Sequence, residues 1–230
     1  AFKVLLFRIS GQEDLLVASP SAGRTAQEAE PLIGFFVNTL VLRTRLCGAL
    51  SFLEVLSQVR QTAIDAFAHQ ELPFERLVQD LLPRRELGHA PLAQVSFAAA
   101  AEPTPGLQLA GLRIRPIELE LESVHWDLSL EIEQAPSGMK VGCEYRTDLF
   151  DSQTIHGLLR SYEALLAGIV AAPQRPIAEL PLLPAAERRQ ILVAWNAHPR
   201  AAPEAACVHH LFEQQARRTP DATEIGRAHV

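Results

Sequence analysis

Hydrophobic residues recur along this chain with two periods, and the periods mark its elements. Ala1–Ile9 is apolar with Lys3 and Arg8 spaced through it, which predicts the end of a helix; Gly11–Asp14 then reads as a turn. Leu15–Ala18 is short and apolar, as a buried strand would be, and Ser19–Arg24 is a small-residue loop holding Pro20 and Gly23. Ile33–Arg43, with Val37, Thr39 and Val41, predicts a second buried strand, being too short and too β-branched for a helix. Ser51-Phe52-Leu53-Glu54 has the spacing of a capping box, Ser as N-cap and Glu three residues on. From there Phe52, Leu56, Val59, Ala63 and Phe67 trace one helical face. Pro73 suits a first helical turn, and Phe74, Leu77, Val78 and Leu81 line a further helix that Pro83 ends.

The second half begins with strands. Leu92–Phe97 predicts one. Ile117, Leu119 and Leu121 alternate with Glu118, Glu120 and Glu122. Trp126, Leu128, Leu130 and Ile132 alternate with Asp127, Ser129, Glu131 and Glu133, and Met139, Val141, Cys143 and Tyr145 with Lys140, Gly142, Glu144 and Arg146. Period two with one polar face predicts half-exposed antiparallel strands, the last two joined by a turn at Gln134–Gly138. Asp151 then caps a long helix whose inner face is Ile155, Leu158, Leu159, Tyr162, Leu165, Leu166 and Ile169. A segment punctuated by Pro173, Pro176, Pro181 and Pro184 leads to a short helix at Ala185–Trp195. An Ala- and Pro-rich linker at Asn196–Ala206 and an amphipathic helix at Val208–Arg218 follow. Periodicity alone defines an α/β domain with a mixed or antiparallel sheet.

Composition narrows the partners. The chain has 230 residues, 48% hydrophobic and 21% charged, enough to bury a sizeable core. A net charge of −6, with no basic stripe among aromatics, argues against nucleic acid as a main partner. The uncharged run around Pro31–Leu42 is too short to span a bilayer, so no membrane partner is expected. Cys47, Cys143 and Cys207 are far apart, odd in number and without metal-ligand spacing among themselves, which predicts a reducing compartment, the cytoplasm by default. The opening Ala1-Phe2-Lys3 has neither an initiator Met nor a signal segment and reads as a truncation.

Several side chains admit two readings each. His69 is either a general base or a loop histidine satisfying backbone groups beside Pro73. Asn38 either orients substrate amides or pins its own strand. Arg24 either faces a substrate channel or sits in a surface salt bridge. Asp127 is read as part of a solvated face, Cys143 as inward packing, and His209-His210 as a feature of a helix N-terminus.

Three motifs carry a family resemblance. Ile33-Gly34-Phe35-Phe36-Val37-Asn38-Thr39-Leu40, closed by Arg43, resembles the fifth signature of the condensation domains of nonribosomal peptide synthetases. His69-Gln70-Glu71-Leu72-Pro73-Phe74-Glu75, thirty residues on, resembles the sixth. Arg85–Leu92, containing Pro91 and Leu92, resembles the seventh, with Gly88-His89-Ala90 where the family often has Ser-Arg-Asn. Gly11–Asp14 with Ala18–Arg24, Trp126-Asp127-Leu128, Tyr145–Phe150 and Trp195-Asn196 are similar to further parts of the same domain. His210–Glu213 with Arg218–Ala222 is similar to the opening of an adenylation domain. The run 224–230 resembles a sequencing adapter translated in frame.

The resemblance implies a chloramphenicol-acetyltransferase-like α/β sandwich, of which residues 1–196 would be the C-terminal lobe, residues 197–223 a linker and the start of an adenylation domain, and 224–230 an artefact. It implies amide formation between thioesters tethered to upstream and downstream peptidyl carrier domains. No cofactor would be bound directly; the phosphopantetheine arms of the carriers would enter the domain. An adjacent adenylation domain in the same chain and an N-terminal lobe, missing here, would be the other partners. The family's catalytic His-His-x-x-x-Asp-Gly motif is not present: after His209-His210 stand Gln214 and Gln215 where Asp and Gly are needed. The motif positions carried over are Arg24, Gly34, Phe36, Val37, Asn38, Thr39, Arg43, His69, Gln70, Pro73, Phe74, Glu75, Pro91 and Leu92 as a substrate-channel set, with no catalytic and no metal-binding residue. An epimerisation domain of the same fold and a noncatalytic docking platform are the alternatives.

Overall fold

Gly11 ends the first helix in the left-handed conformation, φ 70°, its N–H donating to the Phe7 carbonyl at 2.9 Å. The computed structural model describes residues 1–82, 90–100, 111–112, 124–135, 138–197 and 207–221. Arg85–His89, the row Glu118, Glu120 and Glu122, the tip of the Gln134–Gly138 turn and the run 224–230 lie outside the described residues.

Helix α1 (Phe2–Ser10) leads into strand β1 (Asp14–Ser21), which pairs antiparallel with β2 (Asn38–Arg45) from Asp14↔Arg45 to Ser21↔Asn38. The strand predicted from Ile33 thus begins five residues late. Its ladder runs out where β1 ends, so Ile33 and Phe35 lie exposed on the surface. β3 (Val95–Ala100), β4 (Leu128–Ala135) and β5 (Gly138–Tyr145) complete a sheet ordered β2-β1-β3-β4-β5. β1 with β3 and β3 with β4 are parallel, whereas β4 with β5 is antiparallel. The sheet is therefore mixed, and the antiparallel expectation holds for the β4–β5 pair.

Helix α2 (Phe52–Ala68) starts in the predicted capping box: Ser51 Oγ accepts from the Glu54 N–H at 3.3 Å, and the Glu54 carboxylate accepts from the Ser51 N–H at 2.7 Å. Its buried side is set by Val55, with Leu56 half exposed at 50%. The inward row Val55, Val59, Ala63, Phe67 thus keeps three residues of the predicted face and has Val55 in place of Leu56, while Phe52 packs against the core as expected. Helix α3 (Phe74–Leu81) has Pro73 as an extended N-cap, one position before the first helical turn expected for it. Helix α4 (Ser152–Ala171) is capped by Asp151, whose Oδ1 accepts from the Thr154 N–H at 2.7 Å.

Leu15, Val17, Leu128 and Leu130 point from one sheet face into the core, against Phe2 and Leu5 of α1 and Ile155, Tyr162, Leu165 and Ile169 of α4. The Phe2 ring stacks on Phe97 at 5.9 Å and meets Tyr162 edge-on at 6.4 Å. Lys3 is buried in this layer, donating to the Leu42 carbonyl at 2.8 Å and Thr44 Oγ1 at 2.6 Å. Burial lowers its pKa to about 8. Arg8 Nη1 donates to the carbonyls of Ile177 and Leu180 at 2.7 and 2.9 Å, which ties the proline-punctuated segment after α4 to α1. Pro181 packs on Gly168 so closely that a Cβ there would stand 2.5 Å from its ring.

Residues 1–185 and 186–230 form two compact units. Where the second begins, α5 (Ala185–Arg189) passes into a π-helical turn, Gln190–Ala194, rather than continuing as one helix to Trp195, and α6 (Val208–Arg218) matches its predicted span. Among the described residues no helix is long and apolar enough to cross a membrane.

Candidate functional site

Asn38, the first residue of β2, joins two segments that lie thirty residues apart in sequence. Its side-chain Nδ2 donates to the carbonyls of Gln70 and Leu72, both at 2.8 Å, and its Oδ1 accepts from the Phe74 N–H at 3.1 Å. The turn between α2 and α3 is thereby held against the start of β2. Ser21, opposite Asn38 in the ladder, adds a bond from Oγ to Gln70 Oε1 at 2.5 Å. The result is a depression of about 450 Å³ walled by Phe36, Val37, Asn38 and Thr39 on one side and by Gln70, Pro73, Phe74 and Glu75 on the other.

Gly23 closes one end. It has φ 64°, and a Cβ at that position would overlap the Phe36 carbonyl, so only glycine lets the Ser19–Arg24 loop approach this closely. Arg24 beside it lays its guanidinium over the Phe36 ring, 4.3 Å from the centroid, and donates to the carbonyls of Ala29 and Glu30. It holds the loop instead of making the surface salt bridge considered from sequence. Gly34 is exposed outside the depression, with the Phe36 ring edge 2.9 Å from where its Cβ would be.

The other predicted residues fall elsewhere. Arg43 lies five residues along β2 from Asn38, a strand distance of about 16 Å. There it forms an exposed ion pair with Asp14 at 2.6 Å, so strand geometry takes it out of the channel set. That pairing holds the Asp14 carboxyl down at about 2. His69 is the C-cap of α2, with Nδ1 against the Asp65 carbonyl at 2.9 Å, in keeping with the loop-histidine reading. Pro91 and Leu92 form a tight turn, the Ala93 N–H reaching the Pro91 carbonyl at 2.8 Å with Leu92 at φ 64°. They line neither this depression nor the neighbouring one. Gly23, Thr25, Phe35 and Glu71 also line the site, outside the predicted channel set. Phe35 and Glu71 stand within the fifth and sixth motif runs and Gly23 within the Ala18–Arg24 segment, whereas no local pattern marks Thr25.

A second depression, about 460 Å³, shares Thr39 with the first and lies on the sheet face opposite the core. Along it Ala18, Ser96, Ser129 and Glu144 form one cross-strand row, with Ser96 and Ser129 buried and their hydroxyls 2.5 Å apart. Trp126 lines this polar side although alternation groups it with Leu128 and Leu130, because β4 begins only at Leu128. Asp127 also departs from the solvated-face reading: Arg146 reaches its Oδ1 at 3.3 Å, and its side chain is only 15% exposed. Cys143 is inward-facing, and burial, with Glu144 adjacent, raises its thiol to about 11, which suits packing and not a nucleophile.

Besides aromatic walls and hydroxyls, the first depression is lined by Glu71 and Glu75 and the second by His125, Glu131 and Glu144. A family model described as the condensation domain matches residues 1–192. The chain belongs to the condensation-domain family. This condensation domain is 46% identical over 227 residues to a linear gramicidin synthase of Brevibacillus parabrevis, covering 98% of this chain and 4% of that protein. To a chondramide synthase of Chondromyces crocatus it is 43% identical over 225 residues, covering 98% of this chain and 6% of that protein. It thus spans a small fraction of the curated relatives it matches. Among solved structures, a holo four-domain nonribosomal peptide synthetase bound to AMP and glycine superposes with a TM-score of 0.73 at 26% identity, over 81% of this chain and 15% of that one. The X-domain of teicoplanin biosynthesis in complex with OxyB superposes with a TM-score of 0.67 at 25% identity, over 79% and 42%. The mixed sheet with its helices thus has the chloramphenicol-acetyltransferase-like fold expected of condensation domains.

Proposed function

We propose that the two adjoining depressions form one wall of the passage in which a peptide synthetase joins two carrier-bound thioesters. The amine of the acceptor attacks the donor's thioester carbonyl; the new amide forms as the C–S bond breaks, the thiolate takes a proton, and the amine nitrogen loses one. The observation that carries this reading is the convergence of the Phe36–Thr39 and Gln70–Glu75 motifs on one depression through Asn38. Fixed walls of this kind favour orientation, the larger part of the barrier reduction when both reactants are tethered. The slender phosphopantetheine arms of upstream and downstream carrier domains would pass along it.

The proton-handling histidine would come from the His-His-x-x-x-Asp-Gly motif of a preceding N-terminal lobe, and residues 197–223 would open an adenylation domain. The test is dipeptidyl-thioester formation, read by mass spectrometry, with both loaded carriers supplied. The 230-residue chain alone is expected to give no more than a carrier-only control, and the chain joined to its N-terminal lobe is expected to turn over. Turnover by the chain alone would overturn the assignment of the chemistry to the other lobe.

A second reading, a noncatalytic docking platform, draws on the likeness to an X-domain seen in complex with OxyB. An intact histidine motif in the preceding sequence, with turnover, decides against it.

A further inference from the structure

Three metal-ligating side chains converge at the start of α6, within the second compact unit. The ligand atoms of Cys207, His209 and His210 all lie within 4.8 Å of one another. Cys207 is the N-cap, in extended conformation, and its thiol makes no capping hydrogen bond. Its carbonyl accepts from the His210 N–H at 2.9 Å, which closes the first turn and holds the cysteine beside the histidines. The two imidazoles are neighbours, ring centroids 4.1 Å apart and tilted by 58°. All three residues are exposed, so rotamer changes can close the remaining distance without disturbing a core.

We propose that Cys207, His209 and His210 form a binding site for a zinc-class divalent ion. One thiolate and two imidazoles are the borderline-soft donors that zinc selects, at about 2.3 Å to sulfur and about 2.0–2.1 Å to nitrogen, with a fourth tetrahedral position for water. The Cys-x-His-His spacing differs from the paired C-x-x-C and H-x-x-x-H patterns by which zinc sites are read from sequence, which is why no metal residue is expected here from spacing alone. Binding exchanges the Cys207 thiol proton for the metal, so one proton is released per ion bound by a thiol. The ion opposes the positive end of the helix dipole, and the thiolate charge offsets half of the ion's charge. Glu213, one turn further on, is paired with Arg217 at 3.6 Å. Occupancy would staple the N-cap to the first turn of a helix that has no side-chain cap.

The experiment is a cobalt(II) titration of the reduced 230-residue chain, followed by the thiolate-to-cobalt charge-transfer band and the ligand-field bands of tetrahedral cobalt. Saturation at one equivalent is expected, with displacement by zinc. Cys207→Ser is expected to abolish the charge-transfer band. His209→Ala and His210→Ala are each expected to weaken cobalt binding by more than about tenfold, since even outer-shell changes cost that much. Cys47→Ser and His156→Ala, exposed residues outside the cluster, are expected to leave the titration unchanged. The proposal is overturned if no saturable one-to-one complex forms, or if the band survives Cys207→Ser or disappears with Cys47→Ser.

Discussion

The side-chain oxygen of Asn38 accepts a hydrogen bond from the backbone N–H of Phe74 at 3.1 Å, while its nitrogen serves the carbonyls of Gln70 and Leu72. Its amide group is therefore engaged by the α2–α3 turn. Replacing Asn38 with Ala is expected to cost about 1–3 kcal/mol, because partly buried partners are left unpaired. In a complete domain it should also lower turnover, by letting the wall at Phe74 move. Asn38→Asp keeps the acceptor for Phe74 and loses both donors, so the loss of stability should persist. Urea denaturation with an unchanged midpoint for both variants would show that the turn holds without Asn38.

Lys3 links stability to alkaline pH. Its pKa is about 8 in the folded chain against 10.5 for a free lysine, because burial disfavours the ammonium. Folding therefore gains as pH rises from about 8 to 10.5, where the unfolded chain still holds the proton, and this gain is lost as pH falls through 8. Cys143, with a raised pKa near 11 against 9.0, acts in the opposite sense, its contribution being lost between those values. Lys3→Met removes the first effect and also takes the donor from the Leu42 carbonyl and the Thr44 hydroxyl, a loss that does not depend on pH. The melting temperature of the variant relative to the parent should thus fall as pH rises from 7 to 10. A pH-independent difference would mean that Lys3 is solvated.

Thiol labelling separates the cysteines. Cys47 and Cys207 are exposed, and Cys143 is half-buried against the core with a raised pKa. With iodoacetamide at neutral pH and no metal, peptide mapping should show Cys47 and Cys207 modified first and Cys143 only on unfolding. Early labelling of Cys143 would contradict the packing of β5 on the core.

The same substitution should have opposite signs at two glycines of α4. A Cβ at Gly168 would meet Pro181 at 2.5 and 2.6 Å, whereas one at Gly157 has only the Arg160 guanidinium at 4.0 Å nearby. Gly168→Ala is expected to destabilise by about 1–3 kcal/mol through overpacking. Gly157→Ala is expected to stabilise by up to about 1 kcal/mol through helix propensity. Equal shifts in the two denaturation midpoints would show that the segment around Pro181 yields freely.

Local chemistry is legible in this sequence and partnership is not. Ser51 with Glu54, and Asp151 before α4, can be read directly because a cap is decided within one turn of chain. The start of β2 cannot, because residues 33–37 have strand-like side chains but no neighbouring strand beyond Ser21. Val55 and Leu56 are both apolar, and only the sheet beneath decides which one is buried. In the site, Phe36–Thr39 and Gln70–Glu75 stand out as motifs and do meet. Arg43 belongs to the same motif as Asn38 and does not join them, since a strand carries its ends apart as fast as a chain can.

The bonds from Arg8 to the carbonyls of Ile177 and Leu180 bear on how such chains can be cut and rejoined. Sequence periodicity would place a splice for a chimaeric synthetase just after α4, at the first proline. The fold moves it. A junction before Leu180 would import a foreign segment without the two carbonyls placed for that guanidinium, and would break the contact of Gly168 with Pro181 as well. Exchange is compatible with these contacts only beyond Pro181, so residues 173–181 travel with the sheet and helices that precede them.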